Sequence, residues 1–142
     1  MPSPARKWPL RRVATFLLPP LIVLGIGAAV LGEHLKEEQD RRTRAEVITG
    51  GNVAAGRQKF SAYGCGGCHS LTGVPQARGL VGPTLDGIGS RAVLAGRLEN
   101  RPDNLIRWIR DPQAVSPGTA MPDLGVGPAD ARDIAAFLYD RS

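Results

Sequence analysis

Cys65, Cys68 and His69 fall within six residues, "GCGGCH" from Gly64 to His69; they are both cysteines of the chain and one of its two histidines. Two thiols three positions apart with an imidazole directly after the second suit half a zinc site, a dithiol redox pair, or an attachment point for haem. A structural zinc ion needs four ligands, and the only other histidine, His34, lies far off in a charged run. A thioredoxin-like dithiol sits beside a βαβ pattern, and no stretch here alternates as a strand does. The third chemistry fits the spacing: in Cys-x-x-Cys-His the thiols, nearly one helical turn apart, add to the two haem vinyl groups and the imidazole is aimed at the iron.

Three amphipathic stretches could position such a site. From Asn52, Val53, Gly56, Phe60 and Tyr63 recur at helical spacing and lead into the motif. "DNLIRWIRD" puts Leu105, Trp108 and Ile109 on one face, with Pro112 as its stop. "PADARDIAAFLYDRS" has Pro128 and Asp130 suited to a first turn, then Ile134, Phe137 and Leu138 as an apolar stripe. The expectation is an all-α domain with long loops. Residues 50–142 hold fifteen glycines and seven prolines but only five aromatic residues, so a domain this small needs a cofactor to complete its core.

The rest of the chain reads as an attachment. Residues 1–12 carry Arg6, Lys7, Arg11 and Arg12 without an acid, and Val13 to Gly32 are twenty residues without a charge, about 30 Å of helix. By the positive-inside rule this predicts a cytoplasmic tail over 1–12, a transmembrane anchor over 13–32 and an exported remainder. A cleaved signal peptide is the alternative, favoured by Pro19 and Pro20 and opposed by the poor cleavage site in "GAAVLGE". Residues 33–49 then read as a solvated helical stalk with Glu37–Arg41, Glu38–Arg42 and Asp40–Arg44 as i, i+4 pairs, broken by a hinge at Thr49 to Gly51. The net charge of +5 divides into +4 for residues 1–32, −1 for 33–49 and +2 for 50–142. The basicity is therefore a topology signal, and nucleic acid is excluded as a partner.

From Asn52 to Tyr139 the chain resembles the class I cytochromes c in four motifs taken in order: "AAGRQKFSAYGCGGCH", "GPTLDGIGSR", "PGTAMP" and "DIAAFLY". The resemblance implies that fold over 50–142 and one covalent haem c held by Cys65 and Cys68. It makes His69 and Met121 the iron ligands, and Pro83 the carbonyl that accepts the histidine's Nδ1 hydrogen. Arg91 matches a residue near a haem propionate, and Trp108 an aromatic lining the haem. Gly56 and Phe60 match the face on which the first and last helices cross at Phe137.

These matches imply one-electron transfer with no acid, base or nucleophile, hence an electron carrier and not an enzyme. A haem-based catalyst or gas sensor with a labile distal ligand is the competing class. Lys59 is the sole lysine of residues 50–142, so the lysine ring that steers mitochondrial cytochrome c is absent. The anchor and "NLIRWIRDPQ" look more like bacterial membrane-bound cytochromes c and the cytochrome domains of haem-copper oxidases. The expected setting is the bacterial inner membrane, with the haem domain on the periplasmic side. Expected partners are respiratory redox complexes, a terminal oxidase or a quinol-cytochrome c reductase.

Overall fold

The computed structural model describes residues 10–142, with side chains from Pro19 onward; residues 1–9 of the expected basic tail lie outside it. Helix α1, Leu10–Thr49, passes through Pro19 and Pro20. Compact units divide within it, the first ending at Gln39 and the second running Asp40–Ser142. In the first unit Leu21, Ile22, Val23, Leu24 and Ile26 are each 56–69% exposed, a continuous row of large apolar side chains facing outward. Among the described residues no helix is long and apolar enough to cross a membrane. Side chains 13–18 of the expected span fall outside the described set.

The second unit begins with the last ten residues of α1. Its charges do not form the expected i, i+4 pairs: Arg42 reaches forward to Glu46 at 3.5 Å, and Arg41 Nε donates to the Asp140 carbonyl at 2.6 Å. Ala45 and Thr49, unremarkable within a charged run, are 2% and 4% exposed. Gly50 closes the helix in the left-handed conformation, φ +64°, which costs a glycine nothing. The expected hinge is a packed turn. A Cβ on Gly51 would collide with the Arg132 carbonyl, Asp133 accepts from the Asn52 amide at 2.7 Å, and Glu46 accepts from the Val53 amide at 2.9 Å. Two glycines in sequence signal freedom; here the second is needed for close approach.

Helix α2, Val53–Ala62, starts where expected because the Asn52 side chain accepts from the Ala55 amide at 2.9 Å. It crosses α5, Pro128–Asp140, at Gly56, where a Cβ would strike the Asp133 carbonyl and lie 2.8 Å from Phe137 Cβ. Ala131, Ala135 and Ala136, all 0% exposed, keep that crossing close. Phe60 and Phe137 meet edge-on, centroids 5.7 Å apart, a favoured aromatic geometry. At the end of α2, Asp130 receives the Tyr63 hydroxyl at 2.8 Å and Lys59 Nζ at 3.1 Å. The tyrosine's hydrogen bond and then the ammonium hold that carboxyl below its ordinary pKa.

Helix α3, Pro102–Arg110, buries Leu105 and Ile109 as its periodicity requires. Asp111 ends it and caps the four-residue α4, Pro112–Val115, through the Ala114 amide at 2.9 Å; Pro112 thus opens a turn as well as stopping a helix. The all-α expectation needs one correction. Strands β1, Val93–Leu94, and β2, Leu98–Glu99, form a hairpin with Leu94 opposite Leu98. Three residues, 95–97, join the paired Leu94 and Leu98; Ala95 and Gly96 turn the chain through the left-handed region, φ 51° and 67°, and the Arg97 amide closes the turn on the Leu94 carbonyl at 3.0 Å. Strands of two residues are too short to show alternation.

Candidate haem site

After α2 the chain turns through Gly64, φ +70°, into one turn of 3₁₀ helix at Cys65–Gly67. The His69 amide donates to the Cys65 carbonyl at 3.0 Å, so the motif is wound as a continuous turn. Both thiols are unpaired and half-buried. Burial pushes the Cys65 thiol above its ordinary pKa, which keeps it neutral. Among the described residues no three His, Cys, Asp or Glu side chains gather as zinc would require.

His69 is fixed from two sides. Its Nδ1 lies 2.8 Å from the Pro83 carbonyl, so Nδ1 carries the hydrogen and Nε2 keeps its lone pair for a metal. Its ring lies on Gly82, where a Cβ would stand 2.6 Å from Nδ1; no other residue leaves room for the imidazole there. The loop carrying both residues is tied down in turn. The Gly82 amide donates to Cys68 O at 2.8 Å, and Arg91 Nη2 donates to the carbonyls of Thr84 and, at 3.1 Å, Asp86. Asp86 accepts from the Thr72 amide at 2.9 Å and the Thr84 hydroxyl at 2.9 Å; these bonds hold its carboxyl below the ordinary range.

Cys65, Cys68, His69, Pro83, Arg91, Trp108 and Met121 all line one cavity of about 350 Å³. Apolar side chains from α2, β1, α3 and α5 complete it, among them Phe60, Leu94, Leu105, Ile134 and Leu138. This is the size and character of a cofactor site, and it explains how so few aromatics suffice for the core. The donor set fits a c-type haem: two thiols on one turn, an imidazole with a committed Nδ1, a thioether on a separate loop and apolar walls. Arg91 faces the cavity but commits Nη2 to loop carbonyls, so contact with a propionate would fall to its remaining donors. Trp108 is half-buried on the inner face of α3. Nothing in the amino-acid sequence marks Gly82 or Gln113 as parts of the site. Both act through backbone conformation, Gly82 under the imidazole and Gln113 on the loop of Met121, and neither has a chemical signature of its own.

Residues 53–141, more than half of the chain, match the family described as Cytochrome c. The chain belongs to the cytochrome c family, whose members bind haem covalently through such a motif and carry electrons. It is similar to two proteins named cytochrome c oxidase subunit 2. One, from Alkalihalophilus pseudofirmus, is 46% identical over 67 residues, covering 47% of this chain and 19% of that protein. The other, from Bacillus sp. (strain PS3), is 34% identical over 83 residues, covering 57% and 23% respectively. The matches thus span about a fifth of the length of these relatives. No solved structure matches.

Proposed function

We propose that this protein is a one-electron carrier of a respiratory chain whose haem c iron is ligated by His69 and Met121, and that it delivers electrons to or within a terminal oxidase. The observation that carries the reading is the cavity itself, which gathers both thiols, an imidazole with its Nδ1 bonded to the Pro83 carbonyl, and the thioether of Met121. Haem supplies an iron that alternates between two oxidation states one electron apart.

The chain does the rest. Cys65 and Cys68 would hold the macrocycle through thioether bonds, so that it would stay bound in either state. His69 Nε2 and Met121 Sδ are the donors that would ligate the iron, and with both engaged it would offer no site to oxygen or peroxide. Methionine, a soft ligand, favours Fe(II), and the apolar walls disfavour the additional charge of Fe(III). Pro83, Gly82 and Arg91 keep the imidazole in one orientation, so little rearranges when the charge changes. No side chain has to give or take a proton.

The relatives named as oxidase subunits support the oxidase setting. The exposed apolar row of α1 and the uncharged run around it support attachment to the bacterial inner membrane, and the basic residues that precede the run favour the periplasmic side for the haem domain. The ligand set is tested by the Met-to-iron charge-transfer absorption of the oxidised protein and a redox titration. Wild type should show the absorption, and Met121→Ala should lose it, bind carbon monoxide and titrate at a lower potential. Identical spectra and potentials in the two would remove Met121 as a ligand and leave the catalytic or gas-sensing reading.

A further inference from the structure

Met121 lies in a segment without regular structure between α4 and α5, yet a ligand to iron must be held where the bond forms. One side chain makes three of the hydrogen bonds that hold it. Gln113, the second residue of α4, donates from Nε2 to the carbonyl of Thr119 at 2.9 Å and to the carbonyl of Met121 itself at 2.9 Å. Its Oε1 accepts from the amide of Gly118 at 3.1 Å. Both Nε2 hydrogens and the carbonyl oxygen of the amide are thus engaged with residues 118–121. Gln113 is itself anchored, because Asp111 caps α4 through the Ala114 amide and Pro112 beside it is fully buried. Of the ties within the loop, the Thr119 amide donates to the Ser116 carbonyl at 3.0 Å, whereas Met121 N reaches Thr119 Oγ1 only at 3.4 Å.

We infer that Gln113 is the positioning residue of the distal ligand: its amide clasps the loop 118–121 and thereby sets how often Met121 leaves the iron. The inference rests on the reading of Met121 as that ligand. Its chemistry is that of preorganisation. With the loop clasped, bonding by the thioether costs little chain entropy. With the clasp removed, the Met-off form becomes more populated, and any exogenous ligand that needs that form binds more tightly in proportion. Three neutral hydrogen bonds to the loop correspond to a change of roughly tenfold or more in that population.

The experiment uses the full-length holoprotein and imidazole as the competing ligand of the oxidised iron. Gln113→Leu, close in volume but without donors or acceptor, should bind imidazole about tenfold more tightly than wild type and show a weaker Met-to-iron charge-transfer absorption. Gln113→Glu keeps the volume and the acceptor for Gly118, and sets a carboxylate oxygen against the Thr119 and Met121 carbonyls. It should do the same or more, and it remains informative if the leucine variant fails to fold. Asn52→Ala, which removes the side-chain cap of α2 outside both haem loops, should leave imidazole affinity near the wild-type value; this separates loss of the clasp from general loosening. Unchanged imidazole affinity in both folded Gln113 variants would overturn the inference, provided the charge-transfer absorption is present in wild type and lost in Met121→Ala. If wild type lacks that absorption, it is the ligand assignment that fails.

Discussion

The imidazole of His69 shows how a short motif depends on residues that carry no chemistry. The hydrogen bond to Pro83 fixes which nitrogen is free, but the ring reaches that bond only because position 82 has no Cβ. Gly82→Ala should therefore shift the ring or the loop by several tenths of an ångström and cost about 1–3 kcal/mol, the usual range for overpacking. A weaker Nδ1 bond makes the imidazole a poorer donor, so the reduction potential should rise. Thermal melting and redox titration of the holoprotein check both; a variant matching wild type in each would mean that the proximal loop yields without loss. At this scale the sequence was partly legible. Cys65, Cys68 and His69 announce themselves because the spacing is the chemistry, and Met121 and Pro83 could be matched because each lies in a recognisable phrase. Gly82 and Gln113 could not, since a glycine and a glutamine in a loop have many uses, and only the folded chain says which.

Helices α2, α3 and α5 could be read from their apolar periodicity and their caps, because burial of one face dictates the pattern and Asn52 or Pro128 marks the start. The end of α1 could not. In "DRRTRAEVIT" the charges suggest a solvated surface, while the buried residues are the small Ala45 and Thr49, which carry no hydrophobic signal. Residues 40–49 behave as a further helix of the domain, joined to α5 by Arg41 and to the start of α2 by Glu46, with Thr49 holding the turn between through the Gly51 amide. A fragment beginning at Asp40 should thus unfold at the denaturant concentration typical of the full domain. One beginning at Asn52, although it keeps the whole of the family match, should be weaker by on the order of 3 kcal/mol from the lost hydrogen bonds and burial. Equal midpoints for the two haem-loaded fragments in guanidinium unfolding would show that the contacts with α5 contribute nothing.

For the whole molecule, charge and packing bear on how electrons find their destination. Residues 50–142 carry a net +2, too little for the long-range field that steers soluble carriers, so encounters must be kept frequent by other means. A membrane tether does this by confinement, at an effective concentration on the order of millimolar where the partner is fixed nearby. The packed turn at Gly50 and Gly51 changes where such a tether can flex: since Asp40–Thr49 belong to the haem-binding unit, any joint lies before Asp40, and the reach is set by the chain that precedes it. Exporting residues 40–142 behind a cleavable signal should then leave haem content, spectrum and potential unchanged, yet reduce electron delivery in isolated membranes by tenfold or more at low protein concentration. Delivery should recover as the soluble domain is added toward millimolar levels, because the lost quantity is local concentration and not a contact. Full delivery by the soluble domain at equal, low concentration would refute the tether, and a native protein whose N-terminus begins near Glu33 would remove its premise.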